Sequence, residues 1–163
     1  MATTTYIIDP DGTGDYASLN ACLVANATNL VGTGNNVVID CTSSGGTADT
    51  VQASTAGWTT SASTGETLTI RCTDTLTAAW NTNIYRLEVG NASYALSASG
   101  GGVIIDGLQI RVTGQNTNDQ AGLLVTGVAA NETAVVKNCL IQGSNQSTYR
   151  ERPLSLNVGT TRT

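Results

Sequence analysis

The stretch Val37-Val38-Ile39-Asp40-Cys41-Thr42 decides the fold, because it returns in register as Leu68-Thr69-Ile70-Arg71-Cys72-Thr73. Ile, Cys and Thr recur at an offset of 31 residues, the spacing from Asp40 to Arg71. Most of these positions alternate apolar with polar, the pattern of a strand with one buried face. A second pair repeats at the same offset: Ile104-Ile105-Asp106-Gly107-Leu108-Gln109-Ile110 and Val135-Val136-Lys137-Asn138-Cys139-Leu140-Ile141. Apolar residues fall opposite apolar ones at most places of that alignment.

Repetition at such a period is the signature of a solenoid, whose coils bury their inward side chains by stacking on one another. Strands of neighbouring coils then run parallel and like stacks on like. The register sets Asp40 opposite Arg71 and Asp106 opposite Lys137, opposite charges at equivalent places on adjacent coils. Asp106-Gly107 and Asn138 are short polar residues or Gly, suited to a tight bend with left-handed backbone angles.

Upstream, Thr5-Tyr6-Ile7-Ile8 reads as a strand and Asp9-Pro10-Asp11-Gly12-Thr13-Gly14-Asp15 as a Gly-rich turn. A short helix follows with Asp15 near its N-cap, placing Leu19, Cys22 and Leu23 on one face. Residues 1–36 thus form a strand, turn and capping helix, and 37–163 form the coils of one domain. Further strands are expected at Tyr85 to Val89, Gly122 to Val125 and Leu154 to Val158.

Composition agrees with an all-β chain. Charged residues are only 12% of the 163, Phe and His are absent, and Thr, Ser, Asn and Gly supply the polar positions. The net charge of -5, with seven scattered Lys and Arg, offers no groove for nucleic acid. No apolar run reaches the length of a membrane span, and Met-Ala-Thr-Thr-Thr lacks the regions of a signal peptide. Cys22, Cys41, Cys72 and Cys139 make no CxxC pair and have no His to join them. Zinc is therefore disfavoured and buried free thiols are expected, Cys41 stacking beside Cys72, with a disulfide between those two as the alternative.

The opening from Tyr6 to Leu19 resembles the start of pectin-lyase-like right-handed parallel β-helices, and Val103 to Ile110 and Val135 to Ile141 resemble that superfamily's coil repeats. Gly57-Trp58-Thr59-Thr60, Trp80-Asn81-Thr82 and Tyr85-Arg86-Leu87 resemble, more narrowly, β-helix proteins encoded by tailed phages and prophages. The resemblance implies a right-handed solenoid with a small N-terminal capping helix. Enzymes of this type carry many more coils than the roughly four or five that fit here. The chain shows no evident cap after Leu154, so a partner or further chain is expected to cover that end.

The superfamily's enzymes act mainly on acidic polysaccharides, with Asp clusters facing Arg or Lys. The nearest motif is Arg150-Glu151-Arg152-Pro153, without a matching Asp cluster, and its plainer reading is a solvated turn before the last strand. Asp40, Asp74, Asp106 and Glu132 are carboxylates of the type glycoside hydrolysis needs, yet the sequence brings no two to one site. Asp9, Asp11 and Asp15 imitate the first positions of a calcium loop, but Asn20 stands where the bidentate Glu belongs, so turn chemistry is preferred. Trp58 and Trp80, with Arg150 and Arg152, are the candidate ligand surface; both Trp residues suit burial equally well.

The sequence therefore points to a non-enzymatic structural part of a phage-like virion, such as a capsid decoration, head fibre or tail appendage. The alternative is a polysaccharide-binding or polysaccharide-degrading module. Expected partners are a virion or capsid protein, or further copies in a trimer, with polysaccharide next; no cofactor, catalytic set, nucleic acid or membrane is expected.

Overall fold

The computed structural model describes residues 1–74, 76, 79–114, 120–143 and 151–157. It is a parallel β-solenoid of about 4 turns with one short helix. Three sheets run along it. The first holds β1 (Ala2–Ile8), β2 (Asn35–Cys41), β4 (Leu68–Cys72), β7 (Val103–Asp106) and β10 (Val135–Lys137), in that order. The second holds β5 (Arg86–Gly90), β8 (Gln109–Thr113) and β11 (Leu140–Gln142). The third holds β3 (Ala53–Ser54), β6 (Tyr94–Ser99), β9 (Gln120–Thr126) and β12 (Glu151–Asn157).

The expected register is the observed one. Ile39 pairs with Ile70, Cys41 with Cys72, Ile104 with Val135 and Asp106 with Lys137. The repeat is not constant along the chain, however. Leu68 pairs with Val103 and Ala53 with Leu96, so loops of different length separate equivalent strands. Inward side chains fill the coil: Ile39, Leu68, Ile70, Leu87, Leu96, Ile105, Leu108, Ile110 and Leu123 are all fully buried. Each contributes about 1.5–3 kcal/mol relative to remaining exposed.

The bends between the first and second sheets use the expected residues. Gly107 has φ 73° and Asn138, its equivalent one coil on, φ 53°. A Cβ on Gly107 would also approach the Cys72 carbonyl oxygen to 3.0 Å, so Gly serves both conformation and clearance there.

α1 (Leu19–Ala25) closes one end of the core with Leu19, Cys22 and Leu23, as the helical spacing predicts. Its N-cap is Ser18 rather than the neighbourhood of Asp15. Ser18 is extended at φ -151° and its hydroxyl accepts the Ala21 N–H at 3.2 Å. Asp15 is committed elsewhere, accepting the Ile7 N–H at 2.8 Å. Seven residues are too few to hold a helix alone. Tertiary bonds fix it: the Leu19 N–H reaches Asp49 at 2.7 Å, and the Trp58 indole N–H reaches the Leu23 carbonyl at 3.0 Å.

The other end is less covered. β12 continues the third sheet, with Leu154 opposite Leu123 and Leu156 opposite Val125. Leu123 and Val125 are buried, whereas Leu154 and Leu156 are 41% and 62% exposed. Glu151, Arg152 and Pro153 belong to this strand and not to a turn before it. Proline lacks an N–H for the ladder, and Pro153 stands at the one gap in the pairing of β12 with β9.

Candidate functional site

Acidic side chains join coil to coil. Asp49, only 2% exposed, accepts the Leu19 N–H and the Tyr85 hydroxyl at 2.7 and 2.8 Å, and the Val51 N–H at 3.1 Å. Burial raises its pKa above the ordinary carboxylate value, and those three bonds hold the rise back. The same Tyr85 is fully buried and stands between Asp49 and the equally buried Cys41.

Asp9, Asp11 and Asp15 fulfil turn roles. Asp9 accepts the Asp11 N–H at 3.0 Å, the Ser44 N–H at 3.3 Å and the Thr13 hydroxyl. Burial opposes its charge, but these bonds outweigh burial and leave its pKa below the ordinary value. Asp11 reaches into the next coil, accepting from the Ser43 hydroxyl at 2.8 Å and the Gly45 N–H at 2.7 Å. Bonds from Thr47, Gly45 and Ser43 bring its pKa down to about 2. Among the described residues no three His, Cys, Asp or Glu side chains form a group able to hold a metal ion.

The other candidate carboxylates lie apart. Asp40 pairs with Arg71 at 2.5 Å and Asp106 with Lys137 at 3.2 Å, so the two flank Arg71 on one face rather than converging. Glu132 clasps a distant loop, accepting the Ser61 hydroxyl and the Ala62 N–H, each at 2.6 Å, and the Ser63 hydroxyl at 2.9 Å. Glu66 receives the N–H groups of Gly32 and Gly34, and the Thr64 hydroxyl. Asp74 faces the Cys72 thiol.

The candidate ligand surface divides. Trp58 is 5% exposed and bonded to α1, so it is core and offers no platform; its large ring seals the junction of helix and coil. Trp80 is half-buried and carries Arg111 over its ring, 4.4 Å from the centroid. Arg111 donates to Glu88 at 2.6 Å, and Arg86 meets the same carboxylate at 3.3 Å. The Trp80 indole N–H and the Arg111 Nε–H are enclosed without an acceptor among the described residues. Arg150 lies outside the described residues.

Arg152 is exposed and lines a cleft of about 280 Å³ over the third sheet. Tyr94, Ala121 and Leu124 supply apolar surface there, and Ser93, Gln120 and Ser155 supply polar groups. Tyr94 and Gln120 escape a reading of the sequence, because Tyr94-Ala-Leu-Ser-Ala-Ser99 is too weakly apolar to stand out as a strand. The available signal is the short alternation Leu96-Ser97-Ala98-Ser99 after the left-handed Asn91.

All four cysteines are free thiols. Cys41 and Cys72 are register neighbours, as expected, and burial pushes their pKa values up, that of Cys72 to about 12.

The class defined by this fold is the parallel β-solenoid. Comparison with protein-family profiles, curated proteins and solved structures finds no match to the chain.

Proposed function

We propose that the chain is a non-enzymatic structural module, a rigid β-solenoid built into a phage-like virion as a capsid decoration, head fibre or tail appendage. One observation carries the structural part of this reading. Of the twelve acidic residues, all but Asp119 and Glu151 have described side chains, and each of those accepts a hydrogen bond from elsewhere in the chain. Acidic groups that serve a reaction must be available to substrate or metal; here they fasten turns and coils. The virion setting rests on the resemblance of the Trp58 and Trp80 segments to phage-encoded β-helices. Quantitative mass spectrometry of purified particles against the soluble lysate tests it. Enrichment at fixed stoichiometry with a coat protein is the expected result; absence from particles removes the reading.

The cleft beside Arg152 favours a second reading, binding of an acidic polysaccharide. Tyr94 and Leu124 would pack against sugar rings while Arg152 meets a carboxylate. Calorimetric titration with acidic oligosaccharides, repeated on Arg152→Ala, tests this reading; heats unchanged by the substitution exclude the cleft.

A further inference from the structure

The outward face of the first sheet carries two adjacent files of side chains. In one, Asp40, Arg71, Asp106 and Lys137 stand on the rungs β2, β4, β7 and β10, alternating negative and positive, while β1 beyond them adds the exposed Ile7 to this file and Thr5 to its neighbour as an uncharged end rung. In the other, Val38, Thr69, Ile104 and Val135 stand on the same rungs, and all four are partly exposed. A flat β-branched stripe beside a neutral charge ladder is a surface suited to packing against another sheet.

We propose that this face binds a second copy of the chain, with the two solenoid axes antiparallel. The order of the charges selects that arrangement. Read backwards, minus-plus-minus-plus becomes plus-minus-plus-minus. A two-fold axis along the strand direction, lying between β4 and β7, therefore sets Arg71 against Asp106 and Asp40 against Lys137 of the second copy. The same operation lays Val38 on Val135 and Thr69 on Ile104. A two-fold along the solenoid axis instead sets like charges face to face, or the ladder against the apolar file. Only the antiparallel contact satisfies both files at once, and it is closed and self-complementary. This inference does not depend on the virion reading.

Four rungs at the usual strand spacing and rise give roughly 250 Å² per partner. That is far below the roughly 800 Å² of a standard interface, so the dimer is weak and concentration-dependent. Its charge pairs are open to solvent and contribute to register more than to affinity.

Sedimentation equilibrium of the whole chain over rising concentration, up to about 1 mM, reads the association. The expected result is a reversible dimer that weakens as salt is raised. Arg71→Glu and Asp106→Arg should each be monomeric, since each sets like charges against one another across the two-fold. Mixed together they should form a heterodimer, because both cross-contacts become complementary again. Circular dichroism checks that each variant is folded. Ile104→Lys, which leaves the ladder intact and should also be monomeric, serves if either does not fold. A wild-type chain that stays monomeric throughout overturns the proposal. So does a dimer that persists in these variants, or a mixture of folded variants that fails to associate.

Discussion

At the scale of single residues, the molecule rests on buried polar groups that find their partners within the chain. Asp49 is the clearest. Asp49→Ala would strand the Leu19 N–H, the Val51 N–H and the Tyr85 hydroxyl in the interior, at about 1–3 kcal/mol for each group that finds no water. Denaturant unfolding should show a loss of at least about 3 kcal/mol; a loss under about 1 would mean that water enters freely. The thiols offer a second measurement. Burial lifts Cys22 to about 11, Cys72 to about 12 and Cys41 well above its ordinary value. The native chain should therefore leave Cys22 and Cys41 unlabelled by a thiol reagent at mildly alkaline pH and expose them only on unfolding. Because the unfolded thiols ionise first, their contribution to stability is intact below about pH 9 and falls above it. Rapid labelling without denaturant would contradict the packing of both residues.

Among elements, α1 depends most on its surroundings. Trp58→Phe keeps a ring in the core but removes the bond to the Leu23 carbonyl and part of the buried ring surface. It should cost about 1–2 kcal/mol and speed amide exchange in Cys22 to Asn26 while leaving β4 and β7 protected. Uniformly faster exchange would show that helix and coils unfold together. Elements also differ in how well the sequence displays them. β2, β4, β7 and β10 are legible because Val, Ile and Leu alternate with polar or charged residues, and because β2 with β4 and β7 with β10 repeat at the same offset. The bend at Gly107 and Asn138 is legible because few residues accept a left-handed backbone. β3 and β6 are not: two residues give no period, and Ala and Ser bury well without signalling hydrophobicity. The sequence places Asp15 only near the N-cap for a similar reason. Both Asp15 and Ser18 are good caps by type, and only the tertiary bond from Ile7 decides between them. For Trp58 the sequence leaves burial and exposure equally open, and its contact with α1, far away along the chain, puts it in the core.

For the whole molecule, the pH response follows from its carboxylates. Asp9, Asp11, Glu66, Asp106 and Glu132 all have pKa values below the ordinary carboxylate value, whereas that of Asp49 lies above it. A lowered group contributes stability that is present above its unfolded pKa, near 3.8 for Asp and 4.5 for Glu, and is lost as pH falls through the folded value. Asp49 has the opposite sign, and its contribution fades as pH rises through its folded value. The melting temperature should thus stay nearly level from neutral to about pH 5 and then fall towards about pH 2, where Asp11 takes up its proton. A constant melting temperature across that window would mean that the clasping carboxylates contribute nothing net. The uneven finish of the coil has a mechanical consequence. Held by its two termini and pulled along its axis, the chain should open first at the β12 rung, where Leu154 and Leu156 are uncovered, and last beneath the helix-sealed rung. A coil of 31 residues would release roughly 10 nm of slack and the longer coils somewhat more, so the force trace should be an uneven staircase rather than a single rupture.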